Sequence, residues 1–185
     1  QTRLFEATTS HHLLLALNLR TVPGAAGMLE YDPDALELTI MAAASIAAWA
    51  LGGGYTVGLV SNGLHRGDST SVAVAAGSGP GHLPTVLEAL ARLQPLALRS
   101  FEQTLAEGAR RLPYGATVVA VAALIDAPAV AALLGLHRRG HPAVLIASGR
   151  GPVPTGLGGV AVRRVGPPEG WREVATLRPV SEVAR

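Results

Sequence analysis

A run of apolar residues with no polar alternation, Leu13-Leu14-Leu15-Ala16-Leu17, constrains this chain more than any other feature. Alternation marks a strand with one wet face. Its absence predicts a strand from Leu13 to Leu19 that is buried on both faces, as in a parallel sheet covered by helices on both sides. A second such run spans Val118 to Leu124, with further strands expected at Tyr55 to Ser61, Thr70 to Ala75 and Ala143 to Ala147. A last short strand is expected at Val160 to Arg163, and Thr2 to Glu6 reads as a short edge strand.

Helical segments separate these runs. Asp32-Pro33-Asp34 opens a helix, with Asp32 as N-cap and Pro33 in the first turn, and the helix stops near Leu51 at Gly52-Gly53-Gly54. Leu83, Val86, Leu87 and Leu90 recur at helical spacing. Ser100-Phe101-Glu102-Gln103 reads as a capping box for a helix ending near Leu112-Pro113. Asp126-Ala127-Pro128 starts another, with Asp126 as N-cap, and Arg138-Arg139-Gly140 ends it. Asn62 to Ser69 reads as a polar turn. Strands alternating with helices predict an α/β fold: three layers around a doubly wound, mostly parallel sheet of order 3-2-1-4-5 with a short antiparallel edge strand. Residues 1–165 then form one domain, and residues 166–185 a tail or an extra edge element packed on it.

No Asp, Glu, Lys or Arg occurs from Leu38 to His65, a stretch long enough to span a bilayer. The three glycines cut it, however, and a buried helix feeding a buried strand fits better. All 15 basic residues are arginine, which accounts for a high isoelectric point beside a net charge of only +2. They are scattered and aromatics are 4%, so the pattern does not predict a nucleic-acid partner. With no cysteine, disulfides and thiolate metal sites are excluded. The chain begins at Gln1 and reads as a fragment of a larger protein.

Three segments carry a resemblance. They are Ala43-Ala44-Ser45-Ile46-Ala47-Ala48 with Gly54-Tyr55-Thr56-Val57-Gly58-Leu59-Val60, then Leu87-Glu88-Ala89-Leu90-Ala91-Arg92-Leu93, then Leu112-Pro113-Tyr114-Gly115-Ala116-Thr117-Val118-Val119. Together the stretch from about Phe5 to Ser148 resembles the C-terminal domain of the "domain of unknown function 58" family, which is von Willebrand factor A-like. The resemblance implies a domain on the cytoplasmic face of the membrane, part of a larger bacterial membrane-anchored protein. It also implies a protein partner, with a MoxR-type AAA ATPase the expected candidate. The von Willebrand A fold usually binds a divalent cation at the end of its first strand through Asp-x-Ser-x-Ser. The matching positions here are Asn18, Arg20 and Val22. An amide replaces the carboxylate and a cation replaces a hydroxyl, so the expectation is a degenerate site without metal and without cofactor.

The carboxyl ends of parallel strands are where α/β proteins bind ligands. The candidate partner-binding residues there are Asn18, Arg20, Thr21, Ser61 and Asp126. Arg20 could receive a carboxylate or phosphate bidentately, or stand salt-bridged at the strand end. Asn18 is expected to bond loop backbone. Gly77-Ser78-Gly79-Pro80-Gly81 lacks the spacing of a Walker loop, and no lysine exists to complete one. Gly149 to Gly159 misses the dinucleotide fingerprint. The six histidines show no zinc-site spacing, and no Gly-x-Ser-x-Gly elbow occurs. The expected function is a non-catalytic interaction domain. The alternatives are an α/β enzyme with a pocket at the same edge, using Asp126, Ser61 or a histidine, and a purely structural domain.

Overall fold

A computed structural model describes residues 11–24, 31–66, 71–97 and 99–166. The strand expected at Thr2 to Glu6 lies outside these residues, as does the expected tail apart from Gly166.

The long apolar run becomes the middle of the sheet. β1 (His12–Asn18) pairs in parallel with β2 (Thr56–His65) on one side and with β5 (Thr117–Ala122) on the other. The parallel series continues through β6 (Ala143–Ala147) and β7 (Ala161–Arg164). β3 (Ser71–Gly77) closes the other end, antiparallel to β2, so the order is β3-β2-β1-β5-β6-β7. The sheet is mixed but mostly parallel, with four helices among the described residues, and the α/β class read from the alternation holds. Two elements differ from expectation. β4 (Leu93–Ala97) falls where no strand was expected, and pairs antiparallel with the far end of β2. Its partner is the segment read as a polar turn, because β2 runs on through Asn62, Gly63 and Leu64 to His65.

Four helices cover the two faces: α1 (Pro33–Gly52), α2 (His82–Ala91), α3 (Phe101–Ala109) and α4 (Ala127–Arg138). Successive side chains of a strand point to opposite faces, and β1 divides accordingly. Leu13, Leu15 and Leu17 join Ala43, Ala47, Val57 and Val86 in one core. Leu14 and Ala16 join Leu105, Val118, Leu133 and Leu136 in the other. Burial on both faces is therefore why β1 tolerates no polar alternation. Alanines at 42, 43, 47 and 50 of α1 are buried, and their small size lets the helix lie close on the sheet. α1 is long and apolar enough to cross a membrane by length and composition, with a mean hydropathy of 1.6. In the fold that apolar character faces β1, β2 and β5, which it contacts.

The expected caps form. Asp32 accepts hydrogen bonds from the Asp34 and Ala35 N–H groups at the start of α1. Asp126 accepts from Ala129 N–H at the start of α4. Ser100 accepts from Gln103 N–H at 3.4 Å. Each cap places the positive end of a helix dipole near a carboxylate or hydroxyl oxygen. The first two lie at the carboxyl edge of the parallel strands.

Candidate functional site

β1 and β2 both end their apolar runs in asparagine, and the parallel register sets Leu17 against Ser61, so Asn18 and Asn62 stand side by side. Both are buried. Asn62 Nδ2 donates to Asn18 Oδ1 at 2.9 Å, and Leu19 N–H donates to Asn62 Oδ1 at 2.9 Å. Asn18 Nδ2 donates to Leu124 O at 3.0 Å, and Asn18 Oδ1 also accepts from Arg20 N–H at 3.1 Å. The two amides thus knit three chain segments together where the strands leave the sheet. As expected, Asn18 bonds loop backbone.

That network aims Arg20. Its Nη1 lies 3.6 Å from Asp126 Oδ2, with about a third of each side chain exposed. At this distance the pair attracts through charge without a short hydrogen bond. Asp126 is already committed through its other oxygen, Oδ1, as the α4 cap. Arg20 Nε is buried and finds no hydrogen-bond partner among the described residues.

The remaining predicted residues divide. Thr21 Oγ1 accepts from Asp32 N–H at 2.7 Å, fastening the end of β1 to the start of α1. Ser61 is fully buried and its hydroxyl accepts from Gly63 N–H at 3.1 Å. Asn18, Arg20 and Asp126 are therefore brought together, Thr21 stands beside them, and Ser61 is enclosed.

Sequence reasoning missed Asn62, Thr39 and Ser148. Thr39 and Ser148 are both buried and lie 2.7 Å apart, hydroxyl to hydroxyl. Thr39 donates its one proton to Ala35 O at 2.8 Å, so Ser148 is the donor in the pair. This bond ties α1 to the end of β6. A recess of about 110 Å³ opens beside it, lined by Asp32, Asp34, Leu38, Ser148 and Arg150. A signal for Asn62 existed: it follows an apolar run in the same way that Asn18 does.

Two of the histidines lie within hydrogen-bond distance of backbone carbonyls. His82 Nε2 sits 2.7 Å from Val57 O, and His141 Nδ1 lies 3.2 Å from Ala116 O. Among the described residues, no group of three His, Cys, Asp or Glu side chains could hold a metal ion. No protein-family model matches the chain, and no curated protein matches it.

Proposed function

We propose that the chain is a non-catalytic protein-interaction domain that receives an acidic group of its partner at Arg20. The observation that carries the reading is the loose ion pair at the carboxyl edge. The neighbouring polar side chains are spent on the fold itself: Asn18, Asn62 and Thr21 bond backbone amides or carbonyls, and Asp126 caps α4. Arg20 and Asp126 keep partly exposed charges, and the carboxylate that Arg20 meets among the described residues, that of Asp126, stands 3.6 Å away. A partner carboxylate approaching the guanidinium competes with a single weak contact rather than with a closed bidentate pair.

The reading joins this site to the resemblance to von Willebrand A-like domains of the family of unknown function 58, with the cation position substituted. A hard divalent cation needs free oxygen ligands. Asn18 Oδ1 already accepts two hydrogen bonds, and a guanidinium stands beside Asp126. This donor set does not suit such a cation. In this reading the domain belongs to a larger bacterial membrane-anchored protein, lies on the cytoplasmic face, and takes a MoxR-type AAA ATPase as partner.

The test is co-purification of the full-length protein with a MoxR-type ATPase, comparing the native chain with Arg20→Ser. A charge-assisted contact contributes about 1.5–3 kcal/mol, so the variant should bind about ten- to a hundredfold more weakly. Unchanged binding overturns the role of Arg20. Calorimetric titration with Mg²⁺ and Mn²⁺ should give no saturable micromolar binding, and its appearance overturns the cation-free reading.

A further inference from the structure

Among the described residues, the outer end of the sheet is clothed on one face and bare on the other. On the first face α2 packs on β3, where Val72 and Val86 are buried. On the second, α3 rests on β1 and β2. Gly108 lets α3 come that close, because a Cβ there would stand 3.0 Å from Leu14 Cδ2 and 3.1 Å from Val60 Cγ2. Beyond α3 a trough of about 520 Å³ remains. Gly58, Val60, Ala73 and Ala75 line it with small apolar groups, and Arg110 and Arg111 line its helix side.

Charge in the trough is one-sided. Glu107, which also lines it, is held by Arg99 Nη1 at 2.6 and 2.7 Å. Arg110 and Arg111 are exposed, and neither pairs with a carboxylate among the described residues. The strand beside them is also open among the described residues. β3 ends the sheet, and among the described residues no strand pairs with its outer edge. Edge strands are ordinarily guarded by charges or proline. β3 reads Ser-Val-Ala-Val-Ala-Ala-Gly, with neither, and Ala73, Ala75 and Ala76 are exposed.

We infer that this trough is a docking site for an extended acidic segment of a partner protein, which adds as a strand to the outer edge of β3. Main-chain hydrogen bonds to a sheet edge supply affinity, and alternate side chains of the added strand supply specificity. The small side chains of the trough leave room for those side chains. Arg110 and Arg111 choose acidic over basic partners by complementary charge. The site uses none of Asn18, Arg20, Thr21 or Asp126, so it stands or falls separately from the role of Arg20.

The probe is a synthetic decapeptide alternating valine and glutamate, added to the ¹⁵N-labelled full chain, with the valine–lysine decapeptide as control. The acidic peptide should shift the β3 amides and those following α3, and saturate in the micromolar range. Raising NaCl from about 50 to about 500 mM should weaken it about tenfold through screening. The double variant Arg110→Glu/Arg111→Glu should lose binding, and so should Ala73→Asp, which sets a carboxylate on the trough floor. Both sites are exposed, so circular dichroism should match the native chain and separate lost binding from lost fold. Equal binding of the lysine peptide, shifts remote from β3, or no saturable binding overturns the proposal. So do concentration-dependent shifts of β3 without peptide, which would make a second copy of the chain the occupant.

Discussion

At the scale of single residues, the carboxyl edge is held by two buried amides, and their roles are unequal. Asn62 Oδ1 is the acceptor for Leu19 N–H, and its Nδ2 is one of two donors to Asn18 Oδ1. Replacing Asn62 by alanine leaves a backbone N–H without a partner beside Leu19, which is 1% exposed. An orphaned buried donor costs about 1–3 kcal/mol. Asn62→Ala should lower the urea-unfolding free energy by that amount and let the Arg20 backbone drift. An exposed control, Thr85→Ala, should change it by less than about 0.5 kcal/mol. Equal effects from the two would show that the amide pair does not fasten the edge. How legible these residues were follows from the range of their partners. Asp32 and Asp126 could be read as caps because the N–H groups that donate to them lie two or three residues away. Asn62 offered only its place at the end of an apolar run, because its partners, Asn18 at the end of β1 and Leu19 just past it, lie 44 and 43 residues away.

The same distinction between local and distant causes operates on whole elements. Strands with continuous apolar runs, β1, β5 and β6, were legible because burial on both faces writes itself into the sequence. β4 was not. Its Leu-Gln-Pro-Leu-Ala carries a proline and a polar residue, and it is a strand only because the far end of β2 offers it a ladder. Conversely, β2 extends past Ser61 because β4 is there to pair with Gly63, Leu64 and His65. Neither segment specifies the other locally. A second element-level constraint sits at the end of β6. A Cβ on Gly149 would lie 2.4 Å from the Ala123 backbone oxygen, where no side-chain rotation relieves the clash. The same turn is tied down by Arg164, whose Nη1 donates to Gly149 O at 2.6 Å. Gly149→Ala should therefore destabilise by on the order of 1–3 kcal/mol through forced backbone displacement. Gly151, two residues on, has nothing within 4 Å of its would-be Cβ. Gly151→Ala should be close to neutral, and a matching loss in both variants would refute the steric argument.

For the molecule as a whole, the decisive fact is that the central strands β1 and β5 each belong to both cores. Leu13, Leu15 and Leu17 look toward α1 and α2, while Leu14 and Ala16 look toward the side of α3 and α4. A helix layer cannot then come away without uncovering β1, and uncovering β1 from one side weakens its hold on the other. The two layers should unfold together. Leu133 tests this, being fully buried in the second core, across the sheet from Trp49 on α1. The chain has two tryptophans, so a Trp171→Phe background makes Trp49 the sole reporter of the first layer. Leu133→Ala should cost about 2–5 kcal/mol through the lost side chain and the cavity left behind. If the layers are coupled through β1, the Trp49 fluorescence midpoint in urea should fall by the same amount as the far-ultraviolet circular dichroism midpoint, although Trp49 lies on the opposite face. Were the fluorescence midpoint to stay where it is in the unsubstituted background while the dichroism midpoint fell, the layers would be separate cooperative units. The carboxyl edge, which draws residues from both layers, would then lose its rigidity before the sheet does, and Arg20 and Asp126 would not be held in register for a partner.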